Sequence, residues 1–289
     1  MSRRILLPGA GTGAGNNLIR SLRDDYPGLV VIGIHHDRFT LRNSKANRNY
    51  LVPRAGDPRF ADALRTVIER ERIDLLIPNT GHDVAVVSEL RDVLPCRTFL
   101  PAKAVIERCQ DGDGLRDFLR AHDVPAAVAE ELPGRDFACQ SLWKDGRPVL
   151  LKTVERLAYL DGETGAGCAV ESLAKTVNEP GVAAFCAAAI AALDPHVTGA
   201  FSADLRESRV GVPCVVRILP GCFTTMLNFF DQTGRHNMSA AYVRLALDEP
   251  VAIREPYDVA EDRYFVRGLD TLPAVFRGDQ LSEGIEDVA

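Results

Sequence analysis

Residues 201–221 read FSADLRESRVGVPCVVRILPG. FSADLR alternates apolar and polar residues, CVVRIL is an apolar run broken by one arginine, and ESRVGVP between them holds a glycine and a proline. That pattern predicts two strands joined by a turn within 207–213. Side chains along a strand point alternately to opposite faces. Asp204 is therefore expected on the same sheet face as Arg217 and Leu219. Why a strand carboxylate should face an arginine and a leucine depends on the sheet to which the hairpin belongs.

Upstream, FACQSLW (137–143) and VLLKTVERL (149–157) read as two more strands. A helix is expected over 180–193, where Pro180 suits the first turn. Another is expected near 236–247, HNMSAAYVRLAL. Two or more strands before each helix predict an α+β unit with a largely antiparallel sheet. The acidic tail DQLSEGIEDVA (279–289) is expected to be loosely held.

Residues 4–100 follow a different rule. Short apolar runs, ILL (5–7), LVVIGI (29–34), NYLVP (49–53), DLLIP (74–78) and TFLP (98–101), read as strands. Between them, Phe60, Leu64, Val67 and Ile68 recur at helical spacing, and DVAVVSELRDVL (83–94) reads as a further helix. Buried strands alternating with amphipathic helices predict a parallel sheet covered on both faces. Right-handed crossovers then give a doubly wound, Rossmann-like α/β domain. KAVIERC (103–109) and GLRDFLRAH (114–122) read as helices broken by QDGDG, and VPAAVAEELPG (124–134) as a loop. The expected division is a Rossmann-like domain over 1–102, a helical linker and hinge over 103–134, and an α+β domain over 135–289.

Composition narrows the partners. A chain of 289 residues with 46% hydrophobic and 26% charged residues is ordinary for a globular protein with ample core. Its net charge is −6 with no basic stripe, so nucleic acid is not expected. Seven cysteines without a CxxC pair fit reduced thiols in a cytoplasm. MSRRILLPGAG has too short an apolar run for an export signal. VAAFCAAAIAAL (182–193) is too short to span a bilayer, so no membrane partner is expected.

The loop GAGTGAG (9–15) fits the looser dinucleotide fingerprint through Gly9, Gly11 and Ala14, with Asp37 placed for a ribose hydroxyl. It equally fits a tight turn that packs the helix over 15–24 onto the sheet. NTGHD (79–83) ends the fourth strand, and His35 and His36 end the second. Doubly wound folds bind ligands at such strand ends. Gly11, Thr12, Gly13, Asn79, Thr80 and His82 therefore form a candidate substrate cleft in which His35, His36 and His82 are able to meet. Taken singly, each histidine reads as a loop residue. No HxH or HExxH spacing supports a metal.

In this order of domains, with CQDGDGLRDFLRAHDVP before EELPG and an antiparallel sheet ending in a carboxylate hairpin, the chain resembles the ATP-grasp superfamily. More narrowly it is similar to the large chain of carbamoyl phosphate synthase and related bacterial carboxylate–amine ligases. NNLIRSLR (16–23), DRF (37–39), NRNYLVP (47–53), DLLIPN (74–79) and RHNMSAAYVRLAL (235–247) carry the likeness over nearly the whole chain. The resemblance implies ATP held between a small lid and the antiparallel sheet, with two Mg²⁺ ions on strand carboxylates and an asparagine. It implies phosphorylation of a substrate carboxylate and attack by an amine.

Residue by residue, the first acid of that pattern falls on Asp204. Arg217 stands where the family has a glutamate, Leu219 where it has an asparagine, and Cys222 near a family arginine. Gly112 replaces a family lysine. Only Ala126 and Ala127 separate Pro125 from Val128, which leaves no room for the lid. Glu130 or Glu131, with the backbone at Leu132, corresponds to the hinge that reads adenine. Lys152 and Arg156 correspond to basic residues that face phosphate or substrate carboxylate; by themselves they also fit a strand with outward charges. DGETGAG (161–167) is a second possible anion loop or an exposed turn. ATP and Mg²⁺ are thus the implied cofactors, and the departures argue against both. Arg217 is expected to occupy the vacated metal position and pair with Asp204.

Three functions follow from these residues. The first is an incomplete ATP-grasp protein that binds a small metabolite or a partner protein without phosphoryl transfer. The second is an active ligase whose lid comes from a partner. The third is an NAD(P)-dependent enzyme using GAGTGAG and Asp37. A homodimer is compatible with each.

Overall fold

The computed structural model describes residues 2–160, 171–224, 226–268 and 274–280, with Glu130 described by its backbone alone. The stretch 161–167, read above as an anion loop, and the tail from 281 onward lie outside the described residues.

Five parallel strands form the first sheet: β1 (Arg4–Pro8), β2 (Val30–His35), β3 (Arg48–Leu51), β4 (Leu75–Leu76) and β5 (Arg97–Thr98). Their order is β3-β2-β1-β4-β5, a doubly wound arrangement that switches direction between β1 and β4. The connections include α1 (Gly13–Asp25), α2 (Arg38–Arg42), α3 (Phe60–Glu71) and α4 (Gly81–Leu90). Phe60, Leu64, Val67 and Ile68 of α3 are all buried, as their spacing predicts. The linker contains α5 (Lys103–Gln110) and α6 (Gly112–Ala121). Their break narrows to Asp111, whose Oδ1 accepts from Gly114 N at 3.0 Å and caps α6.

Seven strands form the second sheet: β6 (Asp136–Lys144), β7 (Arg147–Tyr159), β8 (Glu171–Thr176), β9 (Gly199–Glu207), β10 (Pro213–Pro220), β11 (Arg263–Val266) and β12 (Ala274–Arg277). Every neighbouring pair is antiparallel, in the order β10-β9-β6-β7-β8-β11-β12. The helices of this half are α7 (Pro180–Leu193), α8 (Leu227–Gln232) and α9 (Met238–Ala246).

The two faces of this sheet carry different chemistry. One presents Phe137, Cys139, Phe201, Ala203 and Leu205 to Cys186 and Ile190 of α7. The other presents Ala138, Val154 and Ala174 to Met226, Phe229 and Phe230. Asp136, Arg156, Asp204 and Arg206 stand on this second face, because the register aligns Asp136 with Arg156 and Arg206, and Ala138 with Asp204.

Helices α8 and α9 join the halves. Leu227, Met238 and Tyr242 share one core with Leu18 and Leu22 of α1, with Phe99, and with Leu142 and Leu150 of the second sheet. Tyr242 OH donates to Phe99 O at 3.1 Å, and Asn237 Nδ2 to Ser21 O at 2.8 Å. By packing, then, part of the stretch 135–289 completes the core of the N-terminal half.

Candidate functional site

Asp204 lies opposite Arg217 across the β9–β10 ladder, and a bulge between Val215 and Arg217 sets that register. Arg217 donates to Asp204 Oδ2 from Nε at 2.9 Å and from Nη2 at 2.6 Å. Arg156 Nη2 donates to the other oxygen, Oδ1. Burial works against the Asp204 charge, yet Arg156 and Arg217 hold its carboxyl below the usual range. Leu219 lies opposite Ser202 and packs toward Leu100 and Cys222.

Arg156 is the centre of a larger lattice. Its guanidinium also donates to Glu171 Oε1 at 3.1 Å, Asp136 Oδ1 at 3.2 Å and Phe137 O at 3.3 Å. Arg206 and Tyr159 close on Asp136 Oδ2 at 2.6 and 2.7 Å. Burial opposes the Arg156 cation, but Asp204, Glu171 and Asp136 outweigh it and raise its pKa.

A divalent cation needs oxygen ligands. Both Asp204 oxygens are taken by guanidinium groups, and neither Arg217 nor Leu219 supplies a ligand. The residues present do not fit Mg²⁺ at this position. Among the described residues, no group of three or more His, Cys, Asp or Glu side chains is placed to hold a metal.

Lys152 and Arg156 are not outward strand charges; both are buried. Lys152 Nζ donates to Phe230 O at 2.7 Å and to Thr233 O, and pairs with Asp258 Oδ2 at 3.3 Å. It holds the end of α8 on the sheet instead of facing an open cleft. Burial lowers its pKa, against Asp258 and Asp231. In the hinge, Glu131 is exposed, while Leu132 packs on Ala127 and Cys214. The Leu132 amide donates to Ala129 O at 3.1 Å within a 3-10 turn, so it is not free to read an adenine edge.

The strand ends of the first sheet do form a cleft. It has a volume of about 370 Å³ and is lined by Thr12, His35, His36, Arg54, Thr80 and His82, among others. His35, His36 and His82 thus all line one cleft. His35 Nδ1 accepts from Asp37 N at 2.9 Å, and its ring stacks on His36 at 4.5 Å between centroids. Burial, His35 and Arg54 lower the His36 pKa. His82 Nε2 lies 3.2 Å from Ala55 O.

Thr12 and Thr80 are both helix caps. Thr12 Oγ1 accepts from Gly15 N, and Thr80 Oγ1 from Asp83 N, each at 3.1 Å. Gly13 has open space around it, whereas Gly11 is packed from behind: with φ +90°, a Cβ there would lie 2.0 Å from Thr40 O. Gly11 thus admits the backbone of α2 instead of a ligand. Asp37 caps α2 through Phe39 N at 2.9 Å and Thr40 Oγ1 at 3.0 Å, which occupies the carboxylate assigned to a ribose. Asn79 is buried beneath the loop. Arg156 lies apart from this cleft, because the register of β7 carries it into the second-sheet lattice.

Arg54 and Asp83 also line the cleft and were not anticipated from sequence. One signal was present: Thr12-Gly13 and Thr80-Gly81 repeat the same dipeptide after adjacent strands. The lattice partners Asp136, Glu171 and Arg206 carried no local signal.

No family model and no curated protein matches the chain. Solved structures do. An L-amino acid ligase from Bacillus licheniformis superposes with a TM-score of 0.70 at 12% identity, over 91% of this chain and 79% of the ligase. A biotin carboxylase from Campylobacter jejuni gives 0.68 at 9% identity, over 92% of this chain and 76% of its own. A phosphoribosylglycinamide synthetase from Anaerococcus prevotii gives 0.67 at 11% identity, over 92% and 80%. At these identities the likeness is one of fold.

Proposed function

We propose, since the chain has the ATP-grasp fold, that it keeps this scaffold as a binding module for a small metabolite or a partner protein and does not transfer phosphoryl groups. The observation that carries this reading is the double capture of Asp204 by Arg156 and Arg217. Phosphoryl transfer rests on positioning and on charge neutralisation by metal ions. A guanidinium neutralises the carboxylate without offering a coordination site.

Two further features support it. The same sheet face is covered by Met226, Phe229 and Phe230. Between α6 and β6 the chain makes one 3-10 turn, Ala129–Glu131, and holds to β10 through Ala127 N and Val215 O at 3.1 Å. That is the place where a lid would be inserted. The binding half of the proposal belongs to the cleft at the ends of β1, β2 and β4.

A second reading, an active carboxylate–amine ligase completed by a partner's lid, draws on the named activities of the similar structures. The NAD(P) reading loses the residues it needed, since Asp37 caps α2 and Gly11 abuts Thr40.

Calorimetry with ATP, with and without Mg²⁺, separates the first two. The expected result is no Mg²⁺-dependent binding. Tight binding that requires Mg²⁺ would transfer the lead to the ligase reading. Arg217→Glu combined with Leu219→Asn restores oxygen ligands beside Asp204. If it leaves Mg²⁺ binding absent, loss of the metal ligands is not the sole cause.

A further inference from the structure

We infer that the cleft of the first sheet is an oxyanion site, built to take the carboxylate or phosphate group of a small metabolite between the N-termini of α1 and α4. The inference deepens the binding half of the proposal above and rests on it.

The two helices start alike. Each begins with a threonine cap followed by a glycine, and each follows one of two neighbouring parallel strands, β1 and β4. The cap hydroxyls are spent. Thr12 Oγ1 donates to Gly9 O at 2.7 Å, and Thr80 Oγ1 to Asp83 Oδ2 at 2.8 Å, besides accepting from their own helices. The amides of Gly13, Ala14, Gly81 and His82 have no hydrogen-bond partner among the described residues. Such first-turn N–H groups carry the positive end of the helix dipole. Gly13 and Gly81 are exposed, with no atom within 4 Å of where a Cβ would stand, and each follows a cap threonine, Thr12 or Thr80, that lines the cleft.

An independent feature lies beneath them. Asn79, the residue before the second cap, is 5% exposed, and its Nδ2 donor has no partner. It is directed at the loop: a Cβ on Gly9, which lines the cleft, would come 3.2 Å from this nitrogen. A buried amide left without an acceptor is costly and calls for an explanation. Arg54 and His36 add cationic or donor groups on the cleft wall. Asp83, the carboxylate on that wall, is turned onto Thr80.

Size sets the ligand class. A cleft of 370 Å³ is at the small end of the roughly 300–1,000 Å³ range of ligand pockets. It suits a small acid or a phosphate monoester better than a dinucleotide.

The test is an amide-resolved NMR titration of the full chain with inorganic phosphate and, separately, with acetate, using chloride to match ionic strength. Saturable shifts at Gly13, Ala14, Gly81, His82 and the Asn79 side-chain amide are expected. Preference for phosphate points to a phosphorylated metabolite, and preference for acetate to a carboxylic acid. Gly81→Asp places a carboxylate at the helix start, where it suits the dipole, and is expected to weaken binding about tenfold with the fold intact. Shifts that fail to saturate, that chloride reproduces, or that Gly81→Asp leaves unchanged would overturn the inference. ATP and Mg²⁺ titrated into the same sample report at Ala138 and Ala203 beside Asp204. Failure of the anion site is thereby distinguished from failure of the non-catalytic reading.

Discussion

Two arginines hold one carboxylate, and their burial sets them apart. The Arg156 side chain is 6% exposed and Arg217 is 45% exposed, while Asp204 between them is 13% exposed. Removing a buried partner leaves an uncompensated charge and costs about 3–5 kcal/mol. A half-exposed partner is screened by water and is worth about 1 kcal/mol or less. Arg156→Met is therefore expected to lower the unfolding free energy several-fold more than Arg217→Met, as read by urea denaturation near neutral pH. The sign with pH follows from Asp204. Its folded pKa is depressed, so its stabilisation is present above the ordinary carboxylate pKa and is lost as pH falls through the folded value. The gap between wild type and Arg156→Met should close over that acidic window. Equal losses in the two variants would mean that both pairs are solvent-screened and that the lattice is ornamental to the fold.

Elements built from local patterns were legible in the sequence, and elements built from distant partners were not. The runs ILL, VVIGI and DLLIP specify buried parallel strands whatever surrounds them, and α3 and α7 declare themselves by spacing and by Pro180. Strand β8, with the sequence ESLAKT, has neither clean alternation nor an apolar run. It becomes a strand because β7 and β11 pair with it on either side. Strand β11, which pairs with the distant β8, was missed for the same reason, and β12 and the short helices α2 and α8 were missed as well. In VLLKTVERL the strand was visible but the fate of its charges was not. Lys152 is satisfied by carbonyls 78 and 81 residues away, and Arg156 by Asp204, 48 residues away. The glycine loop offers an element-scale test. Gly11 must leave room for Thr40 O at φ +90°, whereas Gly13 opens α1 into free space. Gly11→Ala is expected to destabilise by about 1–3 kcal/mol through overpacking and backbone strain. Gly13→Ala should be neutral or stabilising by up to about 1 kcal/mol, because alanine is the better helix residue. Thermal melts of the two variants check this; a tolerated Gly11→Ala would mean that α2 is free to move away from the loop.

At the scale of the whole molecule, the two sheets are tied together by α8 and α9. Tyr242 sits at the junction, fully buried, with its ring edge-on to Phe99 at 5.2 Å and to Phe223 at 5.1 Å. Around it the shared core runs from Ile5 and Leu7 of β1 to Leu142 of β6 and Leu150 of β7. Ion pairs continue the seam at its edge, Arg97 to Asp248 and Arg3 to Glu249 at 2.5 and 2.6 Å. A chain divided into independent domains would bury separate cores and unfold in separate steps. Here one face of each sheet depends on the same two helices for its cover. Unfolding is therefore expected to be a single cooperative transition, with calorimetric and van't Hoff enthalpies equal. The sole tryptophan, Trp143, reports from β6 by fluorescence. Hydrogen exchange at Ile5–Leu7 reports from β1. Both should give one midpoint, and Tyr242→Ala, expected to cost about 3–5 kcal/mol as a large core truncation, should move both midpoints together. Midpoints that separate in the wild type would mean that the seam is too weak to couple the sheets. In that case the oxyanion cleft of the first sheet and the arginine lattice of the second would belong to units able to move independently.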